Sequence, residues 1–149
     1  MKWIGRVLVA LVVLALTAGG VLMAQMVNSL PRLDGELTLP GLGAPVQVNR
    51  DAADVLHVQA KSALDAWRAL GFVHAQERGW QLEFNRRLMH GELSEILGPA
   101  TLDTDKLMRT LGILQAARRQ LQGLSSTSRQ ALQAYSEGIA AAHASGMAG

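Results

Sequence analysis

The stretch LGFVHAQERGWQLEFNRRLMHGELSEILG, Leu70 to Gly98, leaves this chain the least freedom. Read as a helix, it sets Trp67, Leu70, Val73, Trp80, Phe84 and Leu88 at steps of three, four or seven, the spacing of one buried stripe. Glu77 falls on the same stripe. An unpaired buried carboxylate costs several kcal/mol in order of magnitude, so this one must meet a cation or hydrogen-bond donors. Arg109 of the next helix, or Arg78 and Arg86, are the candidate partners, and the Arg86–Arg87 pair reads as a helix anchor working through Glu77, Glu83 and Glu95. Gly71 and Gly79, inside the helix at a cost of about 1 kcal/mol each relative to Ala, point to close approach of another segment. Gly91 and Gly98 mark ends.

The run GFVHAQERGWQLEFNRR followed by GELSEILG resembles the signature region of the penicillin acylase (penicillin amidase) family, G-F-x-x-A-Q-D-R-x-x-Q-M-E-x-x-R-R and then G-x-x-[SA]-E-x-x-G. Upstream, LPGLGAPVQVNRDAADVLHVQA is similar to that family's R-D-x-x-G-V-P-H-I-x-A segment, and Leu102 to Gly112 with Ala131 to Ala142 resembles its later helices. The resemblance covers residues 29 to 145. Asp54 and Leu56 stand where the family usually has the Gly and Pro of G-V-P-H, Glu77 replaces Asp, and Ala140 sits where Asn is common. The first two departures fall in a turn and bear on its backbone geometry.

Residues 1 to 28 read as a targeting or anchoring element. Lys2 and Arg6 precede an uncharged run from Val7 to Pro31, wholly apolar from Val7 to Leu16. About 20 apolar residues suffice to span a bilayer, while Ala18, Gly19, Gly20 and Ala24 offer signal-peptidase sites, so cleaved signal and retained anchor both stand. Residues 29 to 149 form the second part. Between Ser29 and Ala60, apolar residues lie in two or three short extended segments: PVQVNRD alternates as a half-buried strand does, and DVLHVQA can pair with it across a turn at Asp51 to Asp54. Ser62 and Asp65 fit a capping box at the start of the long helix. A short helix over Glu92 to Leu97, one from Thr104 to Gln122 capped by Asp103, and a last one with Leu132, Tyr135, Ile139 and His143 on its inner stripe complete about four helices.

Composition narrows the chemistry. The chain has 149 residues and a formal charge of +2 with both signs interleaved, which is no nucleic-acid footprint. It has no Cys, which excludes disulfides, thiol catalysis and thiolate metal sites. His57, His74, His90 and His143 make no zinc-helix spacing such as H-E-x-x-H. His74 and Glu77, three apart, admit an acid–base pair, but a packed His beside an ion-paired Glu explains them with less. Asp103 and Asp105 form an isolated D-x-D, which a cap explains without calcium. Ser125 to Ser128 contains no G-x-S-x-G elbow. No catalytic, substrate-binding or metal residue is therefore assigned, and Glu77, Arg78, Arg86, Arg87 and Arg109 are taken as structural ion-pair candidates.

The resemblance implies an α+β fold, the front part of the small chain of an N-terminal nucleophile hydrolase precursor. In that family a precursor cuts itself, and the new amino-terminal Ser of the large chain attacks an amide carbonyl with its own α-amino group as base. The partners it implies are the remainder of the small chain and the large catalytic chain; calcium is implied for the full-length enzyme, with ligands outside this chain. The expectation is an exported, periplasmic amidase or acylase, acting on β-lactam side chains or acyl-homoserine lactones, inactive without its nucleophile chain, with the inner membrane as partner through residues 1 to 28 where these are retained as an anchor and not cleaved as a signal. A membrane-anchored helical interaction module without catalysis is the alternative.

Overall fold

The computed structural model describes residues 2–28 and 34–147, and the chain divides into two compact units, Met1–Arg32 and Leu33–Gly149. The first unit is one helix, α1 (Lys2–Asn28), whose described side chains are exposed along its length. The second is α+β. An antiparallel hairpin, β1 (Gln47–Arg50) and β2 (Leu56–Gln59), pairs Gln47 with Gln59 and Arg50 with Leu56. The long helix α2 (Ala63–His90) follows, then the short α3 (Ser94–Leu97), a 3-10 turn over Pro99–Thr101, and α4 (Leu102–Leu111), α5 (Ile113–Gln122) and α6 (Ser126–Ala144).

The hairpin falls where the alternating pattern put it, and its turn is built by aspartates. Asp51 Oδ1 accepts from the amides of Ala53 (2.9 Å) and Val55 (3.0 Å). Asp54, where the family usually has Gly, takes a left-handed conformation with φ 65°, a region short polar side chains tolerate better than most. Two strands occur among the described residues; Leu37 lies in coil, and Leu39 packs directly against the helical core.

The long helix begins at Ser62, whose hydroxyl accepts from the Asp65 amide at 3.0 Å. The reciprocal half of the capping box is replaced: the Asp65 carboxylate takes the Gly43 amide at 2.9 Å, tying the incoming chain to the first turn. At the other end Gly91, φ 68°, closes α2 in the left-handed conformation that a side chain would resist.

The stripe expected on α2 is kept only in part: Val73 is buried and Leu70, Phe84 and Leu88 are half-buried, but the two tryptophans are not covered. Trp67 is 44% exposed and Trp80 56%, while Asp65, Ala69, Phe72, Val73, Ala75, Gln76 and Gly79 are buried. The reason is the partner. Helix α6 crosses so near that small residues make the contact: Ala134, Gly138 and Ala142, at steps of four, are its buried positions, whereas Leu132 and His143 are exposed and Tyr135 and Ile139 half-buried. A Cβ on Gly138 would overlap the Arg68 carbonyl oxygen and come 2.8 Å from the Phe72 amide nitrogen; one on Gly71 would overlap the Tyr135 carbonyl oxygen. Phe72, Ala75 and Ala142 form the centre, with Leu39, Leu82, Ile139 and Met147 around it. The close approach expected from Gly71 is present. A periodicity of large apolar residues cannot find such an interface, because close-packed backbones select small side chains.

The helix expected over Thr104 to Gln122 is two helices. Gly112 adopts φ 66° and ends α4, and α5 begins at Ile113. The cap expected from Asp103 is absent: Thr101 precedes α4 without a side-chain cap bond, and the exposed Asp103 lies 3.4 Å from Lys106.

Candidate functional site

The polar chemistry of the second unit gathers where α2 meets its neighbours. Glu77, half-buried, is held by Arg50 at the end of β1, and not by Arg109, Arg78 or Arg86. The same guanidinium donates to the Asp54 carboxylate at 2.7 Å and to the Asp54 carbonyl at 3.2 Å. One arginine thereby joins strand, turn and long helix. The expected partners lie too far along the helix, or point away: Arg78 is exposed at a kink in α2 with φ −135° and ψ 28°, and Arg109 Nε donates to the Gly91 carbonyl at 2.9 Å. In the same turn the Asp51 carboxylate lies 2.8 Å from His57 Nε2, a contact that, ahead of the Val55 amide, holds it below the ordinary Asp range.

Glu77→Gln keeps the shape and removes the charge. Breaking a fully buried pair costs more, but both side chains retain roughly a quarter of their exposure, so a loss of about 1–2 kcal/mol is expected, read as a lower urea midpoint. An unchanged midpoint would show that Arg50 holds the hairpin through Asp54 alone.

Further along α2, Glu83 accepts from Arg86 at 2.7 and 2.9 Å and from Arg87 at 2.6 Å, and Arg87 reaches Glu95 of α3 at 2.9 Å. The Arg86 hydrogen bonds, opposed by partial burial and helped by Arg87, hold the Glu83 carboxyl down at about 2. The buried Asp105 of α4 accepts from the amides of Leu93 (2.9 Å) and Ser94 (2.8 Å), supplying the start of α3 with the acceptor its own cap residue lacks. Burial works to raise its pKa, yet the hydrogen bonds from Ser94 and Leu93 and the Arg109 charge leave it below the ordinary Asp value.

His74 is not paired with Glu77. Its Nδ1 lies 3.0 Å from the Tyr135 hydroxyl, the rings edge to face at 5.8 Å, so α2 and α6 are joined there by a side-chain bond. Burial, with the Arg78 charge, lowers the His74 pKa. The folded chain thus binds this proton more weakly than the unfolded one. Its contribution is complete above about 6.5, the ordinary His value, and is lost as pH falls from there toward the folded value. The melting temperature should drop between pH 7.5 and 5, and His74→Phe should flatten that slope; an equal slope in the variant would assign it to another group. Glu83 loses its contribution only at lower pH, between the ordinary Glu value and about 2.

A shallow cleft of about 450 Å³ opens at the start of α2, between Gly41, Gly43 and Leu64. Arg68 crosses it to the Gly41 carbonyl and the Glu137 carboxylate. Nothing in this arrangement sets a nucleophile against a base: the Ser62 and Ser125 hydroxyls accept helix-start amides, and His74 faces a tyrosine. Among the described residues no three His, Asp or Glu side chains gather at a spacing that would hold a metal, so the donors present do not fit the calcium implied for the family.

Arg50, Asp105 and Arg68 are the polar residues that carry the framework and that the helix pattern missed. Arg50 had a signal, since it is the Arg of the R-D pair opening the family-like hairpin segment. Asp105 stood in the sequence only as the second member of an isolated D-x-D, whose cap was given to Asp103.

The family sequence model described as penicillin amidase matches residues 45–148. Over 118 residues, 79% of this chain and 15% of the relative, the sequence is 44% identical to penicillin acylase 2 proenzyme of Pseudomonas sp. (strain SE83). It is 34% identical over 112 residues to acyl-homoserine lactone acylase QuiP of Pseudomonas aeruginosa, 75% of this chain and 13% of that one. The solved structure of a thermostable penicillin G acylase from Alcaligenes faecalis superposes with a TM-score of 0.58 at 31% identity, covering 65% of this chain and 52% of that chain. The fold over the matched region is that of part of a penicillin acylase. The chain belongs to the penicillin amidase family, and it spans 13 to 15% of the length of the two relatives named.

Proposed function

We propose that this chain is the front part of the small chain of an exported acylase, one that hydrolyses the amide joining an acyl group to a small molecule. The observation that carries the reading is the family match over residues 45–148, within relatives of which this chain spans only a small share. The names of those relatives point to two substrate types, penicillins and acyl-homoserine lactones. In this reading the chain supplies framework and the nucleophile comes from elsewhere in the precursor. Arg50 orients the hairpin against α2, the α2–α6 crossing sets the long helix, and Asp105 fixes the loop after it. The apolar side chains left exposed, Trp67 and Trp80 on α2, Leu107 and Leu111 on α4 and Leu132 on α6, would then be covered by the remainder of the small chain and by the large chain. Calcium would be bound by those parts.

The chain by itself is expected to hydrolyse no amide or lactone. Chromogenic phenylacetyl and long-chain acyl amides should remain uncleaved by the purified 149-residue protein. Turnover that a point substitution within the chain abolishes would overturn the reading and place a complete site here.

A further inference from the structure

We infer that α1 is retained as a membrane anchor, its partner the hydrocarbon of the inner membrane, and that signal peptidase does not remove it. This concerns residues outside the family match and stands whether or not the acylase reading does. The apolar core of a signal peptide is about 7–15 residues. Here the candidate span runs from Trp3 to Val27, 25 residues, and the stretch inside it from Val7 to Ala24, apolar but for Thr17, is 18 residues long. At about 1.5 Å per residue that stretch covers about 27 Å, close to a hydrocarbon layer of about 30 Å.

Polar groups along the helix agree with the same depth. Arg6 lies at one end, beside the interfacial Trp3, and the next side chain able to stay in water is Gln25, about 28 Å along the axis. Between them the one polar side chain is Thr17. Its hydroxyl donates within the helix to the carbonyls of Val13 (3.0 Å) and Leu14 (2.9 Å), so it brings no unsatisfied group into lipid.

The small residues that would admit signal peptidase lie at the wrong depth. Ala18-Gly19-Gly20 is the A-x-A-like segment, and Gly20 is about 21 Å from Arg6, some two-thirds of the way across. Helix α1 continues through it for eight more residues, Val21 to Met23 being apolar. Opening the backbone there for a protease would unsatisfy amides inside hydrocarbon. Ala24 is near the far surface, but Leu22 occupies the position two before it, where a small residue is needed.

The test expresses the full chain in Escherichia coli with a periplasm-dependent reporter after Gly149. The parent is expected to keep the mass of an uncut chain, to stay with membranes through an alkaline carbonate wash, and to give an active reporter. Replacing Val21 and Met23 by Ser and Leu22 by Gln brings Gly20 to the edge of the apolar span without placing a small residue two before Ala24, and that variant is expected to be cut near Gly20 and released. A parent chain cut after Gly20 or Ala24, or washed free of membranes, overturns the anchor. A triple variant that stays whole and membrane-bound overturns the depth argument on which the anchor rests. An inactive reporter on an uncut, soluble parent overturns export itself, a failure distinct from the loss of the anchor.

Discussion

Gly138→Ala is expected to lower the melting temperature of the detergent-solubilised chain by several degrees, although alanine is the better helix former. The exchange gains about 1 kcal/mol of helix propensity. Against that, the new methyl overlaps the Arg68 carbonyl oxygen and stands 2.8 Å from the Phe72 amide nitrogen. These are backbone atoms of α2, so no side chain can swing aside and the whole helix must shift. Overpacking of this kind costs about 1–3 kcal/mol, and more when backbone has to move. The clash wins. Gly71→Ala, against the Tyr135 carbonyl, should act in the same direction. The comparison that isolates the cause is Gly123→Ala, where the methyl meets only the Gln120 carbonyl at an ordinary 3.6 Å and φ is −88°; that variant should melt no lower than the parent. Equal melting of all three variants would mean that α6 does not rest on α2 as closely as described.

Asp105→Ala is the second large effect. Leu93 occupies the cap position of α3 and has no side-chain acceptor, so the amides of Leu93 and Ser94 depend on a carboxylate from twelve residues downstream. Alanine leaves both amides orphaned, one of them at a residue only 3% exposed. Hydrogen exchange at Leu93 and Ser94 should speed up by about tenfold or more, with loss of order in α3. Asp105→Asn retains one acceptor oxygen and should recover part of the protection. Because the folded pKa of Asp105 lies below its ordinary value, the interaction is complete above the usual Asp range and lost as pH falls through the folded value. Unchanged exchange in the alanine variant would show that water serves the α3 start equally well.

These variants mark where local pattern stopped being informative. The hairpin over residues 47–59 was legible because strand alternation, turn chemistry and register are all local, and even Asp54 in place of Gly could keep the turn through its own short side chain. The start of α2 at Ser62 and its end at Gly91 were legible for the same reason, since caps are satisfied within four residues. The buried face of α2 was not. Trp67 and Trp80 carry the larger hydrophobic signal, but which face is covered depends on what packs there, and α6 approaches on the side of Ala69, Phe72 and Ala75.

The sequence by itself determined the family, the α+β class, the apolar amino-terminal helix and the need for Glu77 to have a cation, because each rests on residue type and short-range spacing. Only the tertiary structure decided which cation. Arg50 is 27 residues upstream on a strand, and Arg109, the candidate from the next helix, turned to a carbonyl at the end of α2. It likewise decided that Asp105 and not Asp103 is the buried carboxylate, and that Gly112 breaks a helix that propensity alone would continue. For the two carboxylates the physical reason is the same. A charge costs little wherever it stays in water, so its place is chosen by the long-range contact that burial forces on it, and that contact is not encoded in the neighbours along the chain.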